Sequence, residues 1–135
     1  MDALLDRYEG LIRVEWRDFP VITSRSPKAA QAGQCAFDQN SFWEFHDALF
    51  NQPNQAVDLS ENQLKSTAEN LGLDMDAFNL CLDSNQHQAT VDFDLKEANS
   101  MGLPGTPAFL VNGKVIVGAN PDLLVEAIDL ALTDE

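Results

Sequence analysis

Cys35 and Cys81 are the side chains here with thiol chemistry available, and their placement restricts it. They stand 46 positions apart, and neither belongs to a Cys-x-x-Cys. Nor do they have the close spacing of zinc ligands, and two cysteines cannot build a disulfide framework. From the residues alone, a bonded pair and two buried free thiols both stand open. His46 and His87 are the only histidines. His46 falls on the apolar face of "FWEFHDALF", where packing or a hydrogen bond between helices is expected. His87 lies in polar "SNQHQAT" and is expected to be exposed. No metal site is expected, because further ligands are not concentrated around either histidine. Asp92 and Asp94 read as a solvated helix edge, and Phe42, Trp43, Phe45 and Phe50 as core packing.

The second place where chemistry could sit is "MGLPGTPAFLVNG", Met101–Gly113. Gly102, Pro104, Gly105 and Pro107 punctuate six residues, and the chain then turns apolar. Such a loop stops a helix, shapes a tight turn and enters a strand.

The elements that would hold these groups follow from periodicity. Residues 2–9 read as the tail of an amphipathic helix. Beyond Leu11, "IRVEWR" alternates with period two and predicts a half-buried strand. After a loop containing Pro20, Ser26-Pro27 predicts a cap and first turn for a helix to about Gln39. Ser41 is expected to cap the next helix. A polar loop around Pro53 separates it from a helix opened by Ser60, with Gln63 placed for a capping box, and closed by Gly72. Asp74 is expected to cap a short helix carrying Phe78, Cys81 and Leu82. Another helix reaches about Met101, with Val91, Leu95 and Ala98 inward and Gly102 beyond its end. "AFLV" and "KVIVG" form a hairpin through Asn112-Gly113. Asn120-Pro121 opens the last helix, with Leu123, Leu124, Ala127, Ile128 and Leu132 as its apolar stripe. The order predicts an α/β fold with one small sheet and a helical insertion over about residues 26–101, in one domain over 1–135.

Composition narrows the function classes. The chain has 135 residues, 22 acidic and 8 basic side chains and a formal charge of −14. That charge repels phosphate backbones and anionic lipid, so neither nucleic acid nor a membrane is expected as a partner. No stretch reaches the roughly 18 apolar residues of a spanning helix. The acidic start, "MDALLDRYEG", has no apolar signal region, so the sequence as written is expected in the cytoplasm.

The segments "VEWRDFPV", "KAAQAGQCAFDQNSFWEFHDALFNQ", "LGLDMDAFNLCLDS" and "GTPAFLVNG", with "VGANP" after them, resemble the DsbA-like thiol-disulfide oxidoreductases of the thioredoxin superfamily. The resemblance covers nearly the whole chain. It implies a thioredoxin-like fold with a helical subdomain inserted between its second and third core strands. It implies a cis-proline at Thr106-Pro107, whose exposed backbone pairs with an extended peptide substrate. It also implies periplasmic or other extracytoplasmic use, and no cofactor. Some relatives carry cysteines at helical positions similar to Cys35 and Cys81 as a second, non-catalytic pair. The departure is the catalytic Cys-x-x-Cys, which the family places after its first core strand. Neither that strand nor that motif occurs here, so no residue is assigned a catalytic role. The expectation is a family fold that is redox-inactive as this chain, the full gene product being either longer or a short module. Sheet closure between "IRVEW" and "AFLV", or a homodimer, is expected to repair the missing strand. A non-catalytic peptide-binding or oligomeric module, and a relative of the glutathione-dependent isomerases and transferases, are the alternatives.

Overall fold

The computed structural model describes residues 1–52 and 58–134. The polar loop expected around Pro53 lies largely outside them. Contacts divide the chain into two compact units, one of Met1–Arg17 with Asn99–Glu135 and one of Asp18–Ala98. The helical segment expected over about 26–101 corresponds to the second.

The regular elements described in that second unit are all helices. Its helices are α2 (Ser26–Phe37), α3 (Phe42–Phe50), α4 (Glu61–Asn70), α5 (Met75–Asp83) and most of α6 (Gln88–Ser100). Two starts are fixed by side chains, as their sequence suggests. The Ser60 hydroxyl accepts the Gln63 N–H at 3.3 Å, and the Asp74 carboxylate accepts the Ala77 N–H at 3.1 Å. Each satisfies one of the orphan donors of a first turn. Ser26 and Ser41 do not cap. α2 begins behind Arg25, whose backbone is already helical, so Ser26 Oγ instead accepts the Thr23 N–H at 3.0 Å. Ser41 Oγ donates backwards to the Gln39 carbonyl at 3.2 Å, and Ser41, with ψ of 25° rather than an extended backbone, accepts no N–H from the first turn of α3. The capping box is also incomplete, because Asp58, not Gln63, accepts the Ser60 N–H.

The core of this unit gathers Ala32, Cys35, Ala36, Phe45, Leu49, Leu64, Ala68, Phe78, Cys81 and Leu82. Small residues let the helices approach closely. Gly33 is one of them, since a Cβ there would meet the Phe42 ring at 3.2 Å. Of the four α3 aromatics expected in the core, only Phe45 is fully buried, while Phe50 is 67 % exposed. α3 buries a narrow stripe through Phe45 and Leu49, and a nine-residue helix with aromatics on most sides cannot turn all of them inward. Phe42, Trp43 and Phe50 gather round His46 instead, with ring centroids 4.6–6.1 Å from the imidazole.

Asp94 is likewise no solvated edge. It is buried and accepts the Asp18 N–H at 3.0 Å, while Gln34 Nε2 donates to the Asp18 carboxylate at 2.8 Å. A buried backbone donor needs an acceptor, which accounts for a charged residue on the inward side of α6.

The first unit contains α1 (Asp2–Arg7), β1 (Ala108–Val111), β2 (Lys114–Val117) and α7 (Pro121–Thr133). The strands are antiparallel in the register Ala108↔Val117 to Val111↔Lys114. Asn112 and Gly113 join them with φ of 47° and 88°, the left-handed pair that a type I′ turn requires. Asn120 Oδ1 caps α7 by accepting the Leu123 N–H at 3.2 Å, with Pro121 in the first turn. Leu124, Ala127 and Ile116 form the small core, with Phe109, Val111 and Leu4 against it. Leu123 departs from the expected stripe and is half exposed.

Among the described residues the sheet has two strands. The strand expected over "IRVEWR" does not form, and "IRVEW" does not close onto "AFLV". Burial still alternates from Leu11 to Glu15, but a strand exists through its ladder of backbone hydrogen bonds, and no described strand pairs with this segment.

Candidate functional site

Two groups of candidate residues take shape, one in each unit. In the first unit, Gly102 has φ of +68° and ends α6, and Leu103–Gly105 lead to Thr106 and Pro107. The Thr106–Pro107 peptide bond is cis. Both residues are exposed. The Pro107 carbonyl accepts the Gly118 N–H at 2.8 Å, continuing the hairpin ladder by one step. Among the described residues, the N–H and carbonyl of Thr106 have no partner. β2 occupies one edge of β1, and no described strand pairs with its other edge.

In the second unit, Cys35 and Cys81 are joined by a disulfide with Cα atoms 5.9 Å apart. Of the two states open from the residues, the structure holds the bonded one. The pair sits in the last turns of α2 and α5 and is almost wholly buried. A thiolate gains from a helix N-terminus and from an accessible, electropositive setting, and this position offers neither.

His87 is not the exposed residue its polar surroundings suggest. α5 ends at Asp83, and Asn85 takes φ of 52°. The Cys81 carbonyl accepts the Gln86 N–H, and Lys28 Nζ donates to the Leu82 carbonyl at 2.6 Å. This reversal folds His87 back over the end of α2. There His87 Nε2 lies 2.6 Å from Asp38 Oδ2, and its side chain keeps 18 % of its exposure. Asp38 is the residue on which α2 ends, where an anion faces the negative end of the helix dipole and a hydrogen-bond donor is favourable. The same Asp38 oxygen lies 3.8 Å from Cys81 Sγ. One ligand atom from each of Cys35, Cys81 and His87 falls within 4.8 Å of the other two.

Reading the sequence singles out the cysteines and names His87, though as an exposed residue, and it misses Asp38. Two signals were available. Asp38 stands one turn beyond Cys35 on the same helix face, and His87 follows Cys81 just after an asparagine that can take a left-handed turn.

Comparison with known proteins fixes the family. A family model described as thioredoxin matches residues 1–130. The "Probable disulfide bond formation protein D" of Bacillus anthracis is 30% identical over 132 residues, covering 92% of this chain and 59% of that protein. This chain is a DsbA-like member of the thioredoxin superfamily. Its thioredoxin-like fold, mostly helical with a small sheet, is shared by a thioredoxin-like oxidoreductase from Silicibacter pomeroyi DSS-3. That structure matches with a TM-score of 0.85 at 25% identity, over 98% of this chain and 75% of the other. A "Na(+)/H(+) antiporter NhaA 1" of Salinispora arenicola is 33% identical over 124 residues, which are 90% of this chain but 18% of that protein. The DsbA-like chain thus spans 59% and 18% of the lengths of these two curated relatives, under two thirds in each case. None of its described helices is long and apolar enough to cross a membrane.

Proposed function

We propose that this chain is the substrate-binding and scaffolding part of a DsbA-like thiol-disulfide oxidoreductase, and that its own two cysteines do not carry out the exchange. The reaction of the family begins with a thiolate attacking a substrate disulfide and passes through a mixed disulfide. The sequence holds no Cys-x-x-Cys to supply that thiolate, and the Cys35–Cys81 bond is sealed between two helices.

The observation that carries the binding half of this reading is Thr106. Its exposed N–H and carbonyl lack partners among the described residues, immediately before a proline that cannot donate. An extended peptide laid beside Thr106 and along the open edge of β1 would satisfy those groups by strand addition.

The test is an amide-resolved NMR titration with an unstructured peptide whose cysteine is S-methylated. Shifts confined to Thr106 and β1, and lost in Thr106→Pro, support the reading. Shifts confined to the helical unit, or a Thr106→Pro variant that binds equally well, overturn it. In the catalytic half, the 135-residue chain is expected to reduce insulin no faster than free thiol does. Turnover that survives Cys35→Ala with Cys81→Ala would show a site elsewhere.

A further inference from the structure

We propose that reduction of the Cys35–Cys81 bond converts this corner of the helical unit into a zinc site, with Cys35, Cys81, His87 and Asp38 as its four ligands. The proposal goes beyond peptide binding and concerns other residues.

Two thiolates, an imidazole and a carboxylate form a donor set that suits zinc and disfavours calcium or magnesium. Three of the groups already converge, with one ligand atom from each of Cys35, Cys81 and His87 within 4.8 Å of the other two, and Asp38 stands beside two of them. Asp38 Oδ2 lies 2.6 Å from His87 Nε2 and 3.8 Å from Cys81 Sγ. Tetrahedral zinc with bonds of about 2.3 Å to sulfur holds two sulfurs about 3.8 Å apart. Cα atoms 5.9 Å apart, as found here, allow that separation once the bond is cut, through side-chain rotation. Bonds of about 2.0 Å to nitrogen and oxygen hold those two atoms about 3.3 Å apart. The His87–Asp38 pair therefore has only to open by less than an ångström. A hydrogen-bonded histidine and carboxylate would become two ligands of one ion. Burial differs across the site in a useful way. The sulfurs are shielded, while Asp38, with 40 % of its side chain exposed, gives an entry path.

The chemistry balances. A dithiol or phosphine reductant delivers two electrons, the Sγ–Sγ bond breaks, and two protons from solution or the dithiol complete the two thiols. Zinc then binds both sulfurs as thiolates and releases those two protons, itself unchanged in oxidation state. In the oxidised protein the sulfurs are bonded to each other and offer no thiolate.

The experiment compares oxidised protein with protein reduced by a phosphine and desalted under nitrogen. Each is titrated with Zn2+ against a chromophoric chelator, and with Co2+ to observe thiolate charge-transfer absorption. The reduced chain is expected to take up one equivalent of Zn2+ and the oxidised chain none. His87→Ala is expected to lower the affinity by more than about a hundredfold, since a lost ligand costs at least what an outer-shell partner does. It should still form the disulfide and keep its oxidised circular dichroism. Reduced protein with two reactive thiols that binds no zinc overturns the proposal. So does a His87→Ala variant that binds as tightly as the parent. If reduction melts the helices, Zn2+ must restore their circular dichroism, and failure to do so also overturns it.

Discussion

The Tyr8 hydroxyl donates to Asp129 Oδ1 at 2.6 Å, tying α1 to α7. Tyr8 is 5 % exposed, and the bond joins residues at opposite ends of the sequence. Donation to Asp129, and then burial, raise the phenol pKa above its ordinary 10.0, against a smaller opposing effect of Arg7. A group with a raised folded-state pKa adds stability that is complete below its unfolded value and is lost as pH rises through the folded value. Unfolding midpoints are therefore expected to fall on the alkaline side of pH 10, and Tyr8→Phe should remove that fall. Tyr8 is the only tyrosine, so tyrosinate absorbance reports it directly. A titration at the ordinary pKa would refute the coupling.

Cys35 and Cys81 close a loop spanning 46 positions of sequence. Chain-entropy arguments give such a loop about 4 kcal/mol of stabilisation. Reduction, or the double alanine variant measured without added metal, is expected to lower the urea midpoint of the helical unit accordingly. A midpoint unchanged by reduction would mean that packing alone sets its stability.

Phe78 and Phe50 are both aromatic residues on short helices, but only Phe78 is fully buried, with its ring 5.9 Å from that of Phe45. Phe78→Ala is expected to cost about 3–5 kcal/mol through the cavity it leaves. Phe50→Ala should stay within about 0.5 kcal/mol of the parent. Chemical denaturation of the two variants gives the comparison. Equal losses would mean that the exposed face of α3 is packed against something in solution.

Gly113 occupies φ of 88° in the hairpin turn, with no atom near its missing Cβ. Gly113→Ala should therefore strain the backbone without a clash, costing about 1 kcal/mol or slightly more. Loss of strand amide protection in hydrogen exchange would register it. Unchanged protection would mean that the turn tolerates a side chain.

The contrast between these residues shows where the sequence is informative. Most signals satisfied within four residues are legible: the caps at Ser60, Asp74 and Asn120 and the Asn112-Gly113 turn lie where their side chains place them, although Ser26 and Ser41 do not cap. Signals that need a distant partner are not. "IRVEWR" has the alternation of a strand, but alternation does not supply a ladder. The two cysteines are visible as candidates, whereas the histidine and carboxylate beside them meet only after α5 has ended and the chain has turned back. Asp94 looks like any surface carboxylate until the Asp18 N–H has to find an acceptor.

The disulfide also gives the chain a mechanical character. Pulled from its two ends, an oxidised molecule cannot pay out the segment between Cys35 and Cys81, which would otherwise extend to roughly 150 Å. Tension would pass from α2 straight to α5 through the sulfurs, leaving α3 and α4 outside the line of force. A reduced molecule would let that hidden length run out. Under load, the oxidation state of one buried bond would therefore set how far the chain can be stretched.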